Sequence, residues 1–157
     1  SPEFDDTVRA RFLDLYELAA DGGCAEWKID APGCLALCLL LDQFPRNMFR
    51  GQGKAFKTDK DALVISKHAI HRGFDQIMIP MKRRFLYLPF MHSENLTDQK
   101  KSVELFSTMQ VDDPMGYELA LRHYREIENF DRFPYRNKAL GRENTPEEDE
   151  YLKTLPA

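Results

Sequence analysis

Two segments far apart in the chain share a pattern of polar side chains suited to binding an anion. Residues 42–47 read Asp-Gln-Phe-Pro-Arg-Asn, and residues 131–137 read Asp-Arg-Phe-Pro-Tyr-Arg-Asn with one extra position. Phe-Pro is typical of a helix end, and the Arg-Asn that follows offers five guanidinium donors beside an amide. These donors either cap helix carbonyls and pair with the local aspartate, or bind a carboxylate or phosphate. The candidate ligand-binding residues are Asp42, Arg46, Asn47, Arg136, Asn137 and Arg142.

A third segment, His-Ser-Glu at residues 92–94, follows a proline and is predicted to lie in a loop or at the start of a helix. An imidazole and a carboxylate two positions apart can act as base and orienter, given a further partner such as His123. Capping, or burial with a hydrogen bond, is the alternative for both histidines. No metal-ligand spacing accompanies them, so we predict no metal and no cofactor. The candidate catalytic residues are His92, Glu94 and His123.

Charge is distributed unevenly along the chain. Residues 1–42 carry three basic and nine acidic side chains, whereas residues 46–84 carry ten basic and three acidic ones. The basic stretch either faces an anionic ligand or pairs internally with the acidic first third of the chain. Residues 82–87 interleave basic and aromatic side chains, as single-stranded nucleic-acid sites do, but helical spacing turns the apolar ones inward. Nucleic-acid binding is therefore the least favoured function.

The composition predicts one globular domain. A chain of 157 residues that is 43% apolar can form its own core. The longest apolar run, residues 34–41, is far shorter than the roughly 20 residues of a membrane span, and no secretory signal is visible. Cys24, Cys34 and Cys38 lack paired spacing, which favours a reducing, cytoplasmic location, and Cys34 and Cys38 are expected to be buried small side chains. Residues 1–4 read as a cloning remnant, and residues 5–157 as a single helical domain.

Helical periodicity and capping signals predict an all-α protein, because no run of strict two-residue alternation competes. Pro45 and Pro89 are expected to end the helices that precede them. Asp113 followed by proline, and the Thr145 capping box, are expected to begin two others. The predicted helices cover residues 5–20, 33–44, 58–71, 81–88, 98–109 and 114–130, with a final helix after Thr145.

Three blocks of the sequence carry a family resemblance. Residues 40–51, residues 84–94 and residues 132–142 resemble, in this order, the signature blocks of the family catalogued as domain of unknown function 924. The resemblance extends over roughly residues 6 to 155. It implies an antiparallel array of about six to eight helices, similar to tetratricopeptide-like folds, and it implies no particular activity.

The chain departs from the family pattern at three places. Family members generally begin with an aromatic-rich segment that has no match here, so we expect the chain to be truncated at its N-terminus. The family usually has glycine where this chain has Asp131, and histidine where it has Tyr135. Tyrosine can donate a hydrogen bond at that position but does not titrate near neutral pH.

From these segments we predict a pocket for a small anion, formed where the two Arg-Asn segments meet residues 92–94. The guanidiniums brought together there need acidic partners, and the nearby carboxylates supply only part of that charge. The alternative is a helical-repeat module that binds a peptide or protein in a groove between helices. The pattern by itself predicts neither a reaction nor an oligomeric state.

Overall fold

The protein is described by a computed structural model that covers residues 1–156. The all-α prediction is confirmed: these residues contain no strand, and seven of their α-helices have seven residues or more. Helix α1 begins at Pro2, earlier than predicted, because the hydroxyl of Ser1 caps it. The helices are α1 (Pro2–Ala20), α2 (Ala31–Cys38), α3 (Phe44–Met48), α4 (Asp59–His71), α5 (Pro80–Met91), α6 (Leu96–Ser107), α7 (Pro114–Phe130), α8 (Asn137–Leu140) and α9 (Pro146–Leu152).

The prediction that Pro45 ends the second helix is wrong. The helical backbone continues from α2 through a π-turn, Leu39–Gln43, into α3. A proline cannot donate to the carbonyl four residues earlier and its ring presses on that carbonyl, so a wider turn relieves the clash. The carbonyl of Leu41 instead accepts a hydrogen bond of 2.6 Å from the hydroxyl of Thr58. The first Arg-Asn segment is therefore helical, and Asp42 lies inside the π-turn.

The prediction that Pro89 ends a helix is also wrong, since α5 runs through it to Met91. Every residue from Leu86 to Met91 is buried, so packing on several sides holds the helical backbone at the proline. The helix ends at His92, where the buried amide of Gln99 donates to the carbonyls of Met91 and Ser93, each at 2.7 Å. His92 thus caps α5, and Ser93 and Glu94 lie in the loop that follows, as expected for this segment.

Neighbouring helices pack together along most of the chain. Helix α5 packs between α4 and α6, α6 packs on α7, and α2 packs on α4, while α1 covers α3. Cys34 and Cys38 are buried in this core, as predicted, Cys24 is buried as well, and burial raises the pKa of each thiol. No helix within residues 1–156 has both the length and the apolar character that a bilayer span requires.

Part of the basic stretch is paired with acids from several parts of the chain. Arg50 pairs with Asp5 of α1 at 2.7 Å, and Arg84 pairs with Asp113 at 2.9 Å. Only the first of these partners belongs to the acidic first third, so internal pairing is real but is not confined to that third.

Candidate functional site

The structure brings the two arginine segments together around one carboxylate and one aromatic ring. Arg46 donates from Nη1 and Nη2 to the two oxygens of Asp59, at 2.7 and 2.9 Å. Nη1 of Arg136 lies 3.7 Å from Oδ2 of the same Asp59. The guanidinium carbons of Arg46 and Arg136 lie 5.4 and 4.5 Å from the centroid of the Phe56 ring. Asp59 begins α4, and it was missed as a site residue because its sequence context indicates only a helix cap.

Both Nη atoms of Arg46 are engaged within the protein. Besides the bidentate pair with Asp59, its Nη1 donates to the carbonyl of Asp42 at 2.6 Å. Burial disfavours its charge, but Asp59 and Asp42 outweigh that penalty and raise the pKa of Arg46 above its ordinary value. This guanidinium therefore serves as a support for Asp59 and has little capacity left for a ligand.

Arg136 is not fully engaged. The residue is only 4% exposed, and its guanidinium stacks on the rings of Phe56 and Phe133. Nη2 donates to the carbonyl of His92 at 3.0 Å, and Nε donates to the hydroxyl of Tyr135 at 3.3 Å. Nη1 makes no hydrogen bond with any residue that the structure describes. Nη1 is not shut off from solvent, so its donors remain available to a ligand that enters the adjacent cleft.

A cleft of about 230 Å³ opens beside Arg136. Its polar side carries both acidic and basic side chains, and its apolar side consists of aliphatic and aromatic side chains. Two exposed lysines, Lys57 and Lys60, lie at its edge. The other principal lining residues are Phe56, Asp59, Leu63, Pro89, His92, Glu94, Arg136 and Leu140.

His92 is oriented by Asp42 and not by Glu94, which corrects the expectation from the sequence. Nδ1 of His92 lies 2.8 Å from Oδ1 of Asp42, whose side chain is fully buried. The amide of Gln43 donates to the other carboxylate oxygen at 2.7 Å. Burial alone would raise the pKa of Asp42, but His92, Arg46 and Gln43 outweigh it and hold this pKa below its ordinary value.

The protonation of this pair follows from its hydrogen bonds. An ionised carboxylate only accepts, so Nδ1 of His92 must carry the hydrogen. In the neutral ring the lone pair is then on Nε2, which has no hydrogen-bond partner among residues 1–156. His92 lines the cleft, so this assignment provides an oriented acceptor there.

Glu94 holds the second arginine segment against the end of α5. Its two oxygens accept from Arg142 at 2.9 and 3.1 Å, and the backbone N–H of Phe133 donates to it at 2.6 Å. Burial opposes ionisation, but these donors prevail and lower the pKa of Glu94. Nε of Arg142 in turn donates to the side chain of Asn137 at 2.8 Å. Asn137 and Arg142 are thus used within the fold and do not line the cleft.

Two further candidates lie outside the cleft. The amide of Asn47 donates to Asp5 of α1 at 2.9 Å, away from Arg136. Nδ1 of His123 lies 2.8 Å from the carbonyl of Leu119, and its ring centroid is 6.3 Å from that of His92. Burial lowers the pKa of His123 to about 4, so this imidazole is neutral at physiological pH. No group of three His, Cys, Asp or Glu side chains within residues 1–156 is arranged to hold a metal ion.

The contacts define an all-helical protein whose cleft lies between a helix end and two related arginine segments. The family model described as "Bacterial protein of unknown function (DUF924)" matches residues 1–155, and the chain belongs to this family. One similar solved structure is that of the protein of unknown function ATU0120 from Agrobacterium tumefaciens, which is 40% identical with a TM-score of 0.93. The match covers 98% of this chain and 85% of that chain. No curated protein matches the sequence.

Proposed function

We propose that the protein binds a small organic monocarboxylate in the cleft beside Arg136. The observation that carries this proposal is the free Nη1 of a guanidinium that is almost completely buried and lines the cleft. A carboxylate oxygen would supply the acceptor that Nη1 lacks and would neutralise the arginine. The exposed Lys57 and Lys60 at the edge would attract an anion towards it.

The charges around the cleft favour a single negative charge on the ligand. Asp59 is paired with Arg46, and Glu94 is paired with Arg142, so each of these acids already has its own cation. Of these three arginines, Arg136 is the one whose nearest carboxylate oxygen is beyond hydrogen-bond range, at 3.7 Å. A second negative charge would meet two carboxylates at short range, which disfavours a phosphate dianion.

The walls favour a compact ligand with an apolar body. Phe56, Leu63 and Leu140 provide apolar surface opposite the charged groups. The volume of about 230 Å³ is below the roughly 300–1,000 Å³ of sites for drug-sized molecules. An aromatic or short aliphatic acid fits both requirements.

Of the three catalytic candidates, His92 alone has the arrangement of a general base in this cleft. Its imidazole is oriented by a buried carboxylate and its Nε2 is free. Both oxygens of Glu94 are held by Arg142, and His123 packs behind His92 against Phe133. Any proton transfer in the cleft is therefore assigned to His92, with Asp42 as its positioning residue.

Thermal unfolding in the presence of phenylacetate, butyrate and inorganic phosphate tests the proposal. A carboxylate at tenfold its dissociation constant is expected to raise the Tm by about 3 °C or more, because it binds only the folded state. Arg136→Gln should abolish the shift. Arg50→Gln is the matched control, since Arg50 pairs with Asp5 and does not line the cleft. Equal shifts in the two variants, or no shift in the wild-type protein, would contradict the proposal.

The helical-repeat interaction module is the second candidate, and one surface feature favours it. A groove of about 410 Å³ runs between α2 and the start of α5 and is lined by apolar side chains. Two of them, Ile77 and Ile79, are 76% and 57% exposed. The groove shares no lining residue with the cleft, so Ile77→Ser should leave carboxylate binding unchanged while weakening any protein partner.

A further inference from the structure

We infer that the ligand of the cleft is a hydroxycarboxylic acid, whose carboxylate binds Arg136 and whose hydroxyl donates to Nε2 of His92. This inference rests on the proposed function, because it adds a second contact to the same bound carboxylate. The observation behind it is the juxtaposition of one free donor group and one free acceptor in a single cleft.

The donor and the acceptor are tied to each other by the backbone. Nη2 of Arg136 donates to the carbonyl of His92 at 3.0 Å, so the guanidinium and the histidine residue are held side by side. Both residues line the cleft. A ligand whose hydroxyl lies close to its carboxylate can therefore contact both with one short molecule.

Nε2 of His92 is the acceptor in the cleft that has no partner among the described residues. Each oxygen of Asp59 and Glu94, in contrast, already accepts from an arginine. The hydroxyl of Ser93 donates to Asp98 at 2.6 Å and accepts from the backbone N–H of Asn95. A ligand hydroxyl would therefore find its partner at His92, and a ligand without one would leave Nε2 unpaired.

Asp42 determines whether the site prefers a hydroxy acid or a keto acid. Its carboxylate accepts from Nδ1 at 2.8 Å, which keeps the hydrogen on Nδ1 and the lone pair on Nε2. A keto oxygen at the same place on the ligand would bring two acceptors together. The site should thus prefer a hydroxy acid to the corresponding keto acid.

Three probes of the same shape separate these contributions. Mandelate, phenylglyoxylate and phenylacetate share a phenyl ring and a carboxylate, and carry beside the carboxylate a hydroxyl, a keto oxygen or neither. Isothermal titration calorimetry of the whole chain at pH 8 gives the three dissociation constants, with both mandelate enantiomers measured. We expect the better enantiomer to bind about fivefold more tightly than phenylacetate, and phenylglyoxylate to bind no better than phenylacetate.

Two variants test the roles of the histidine and the aspartate. In His92→Gln the amide can donate as well as accept, so mandelate and phenylglyoxylate should bind equally. In Asp42→Asn the new amide donates to Nδ1, which moves the ring hydrogen to Nε2 and should reverse the preference towards phenylglyoxylate. Loss of packing would weaken the binding of all three probes together and would not reverse the order of their affinities. Circular dichroism checks that each variant is folded, and His92→Gln carries the test if Asp42→Asn is not.

The outcomes separate the inference from the proposed function. Equal binding of mandelate and phenylacetate by the wild-type protein would overturn the hydroxy-acid inference and leave monocarboxylate binding standing. Binding of none of the three probes would overturn the proposed function and this inference with it. An unchanged preference for mandelate in His92→Gln would also overturn the inference.

Discussion

His92 and Asp42 lie fifty positions apart in the chain, and Nδ1 of the histidine meets Oδ1 of the aspartate at 2.8 Å. The contact joins the π-turn that precedes α3 to the C-terminal end of α5. Because Asp42 is fully buried and His92 lines the cleft, the interior of the fold determines which nitrogen of the imidazole faces a ligand. The fold and the site therefore depend on the same pair.

The hydroxyl of Thr58 should contribute measurably to stability through the carbonyl that Pro45 leaves free. Thr58→Val removes the 2.6 Å hydrogen bond to Leu41 and leaves a buried acceptor unpaired. We expect the free energy of unfolding to fall by about 1–3 kcal/mol, measured by urea denaturation. Thr97→Val, at an exposed position of α6, is the matched control and should change it by less than about 0.5 kcal/mol. Equal losses in both variants would show that the Leu41 contact contributes nothing.

Asp131 should be replaceable by glycine with a gain in stability. It ends α7 at φ 61°, and it is the only residue other than glycine with positive φ in the part of the chain that the structure describes. A side chain is disfavoured in this conformation, which favours glycine at the end of a helix. Asp131→Gly is expected to add about 0.5–1 kcal/mol to the free energy of unfolding.

The comparison for Asp131 is Gly141, which ends α8 at φ 67°. Gly141→Ala should destabilise the protein by about 1 kcal/mol, measured in the same urea series. A lower urea midpoint for Asp131→Gly would mean that the aspartate side chain stabilises the turn.

The capping box of α9 should make stability depend on acid pH. Arg132 holds the pKa of Glu148 down to about 2, with a further hydrogen bond from the backbone of Thr145, although burial opposes ionisation. The folded pKa is below that of the unfolded chain, so the stabilisation is present above the unfolded value of about 4.3 and is lost as pH falls towards 2. Urea midpoints measured from pH 6 to pH 2 should therefore fall more steeply for the wild-type protein than for Glu148→Gln.

Glu148→Gln should also lower the free energy of unfolding by about 1–2 kcal/mol at pH 7, where the wild-type carboxylate is ionised and paired. The difference in the free energy of unfolding between the wild-type protein and Glu148→Gln should narrow towards pH 2. A constant gap across this range would mean that Glu148 acts through its shape and not through its charge.

Helix boundaries set by local signals could be predicted from the sequence. Asp113 caps α7 through a hydrogen bond to the N–H of Gly116 at 3.0 Å, and Thr145 forms the predicted capping box at α9. These signals act within three residues and need no information from the rest of the fold. The two prolines were misread for the opposite reason, because the partner of Leu41, for example, is Thr58 from a later segment.

The candidate site could be predicted only in part. The meeting of Arg46 and Arg136 was foreseen from their shared motif, and both lie against Phe56. The sequence does not predict which of the two arginines keeps free donors, because that depends on where Asp59 lies in space. One signal was available: Asp59 is one of only three acids among residues 46–84, so it is a natural partner for their excess positive charge.

Whether Arg136 binds a carboxylate in the cleft can be seen in a crystal structure of the protein grown with phenylacetate. We expect a carboxylate oxygen within hydrogen-bond distance of Nη1 of Arg136 and the phenyl ring against Phe56 and Leu63. Phenylacetate bound elsewhere, or a cleft that holds only water at saturating ligand, would contradict it.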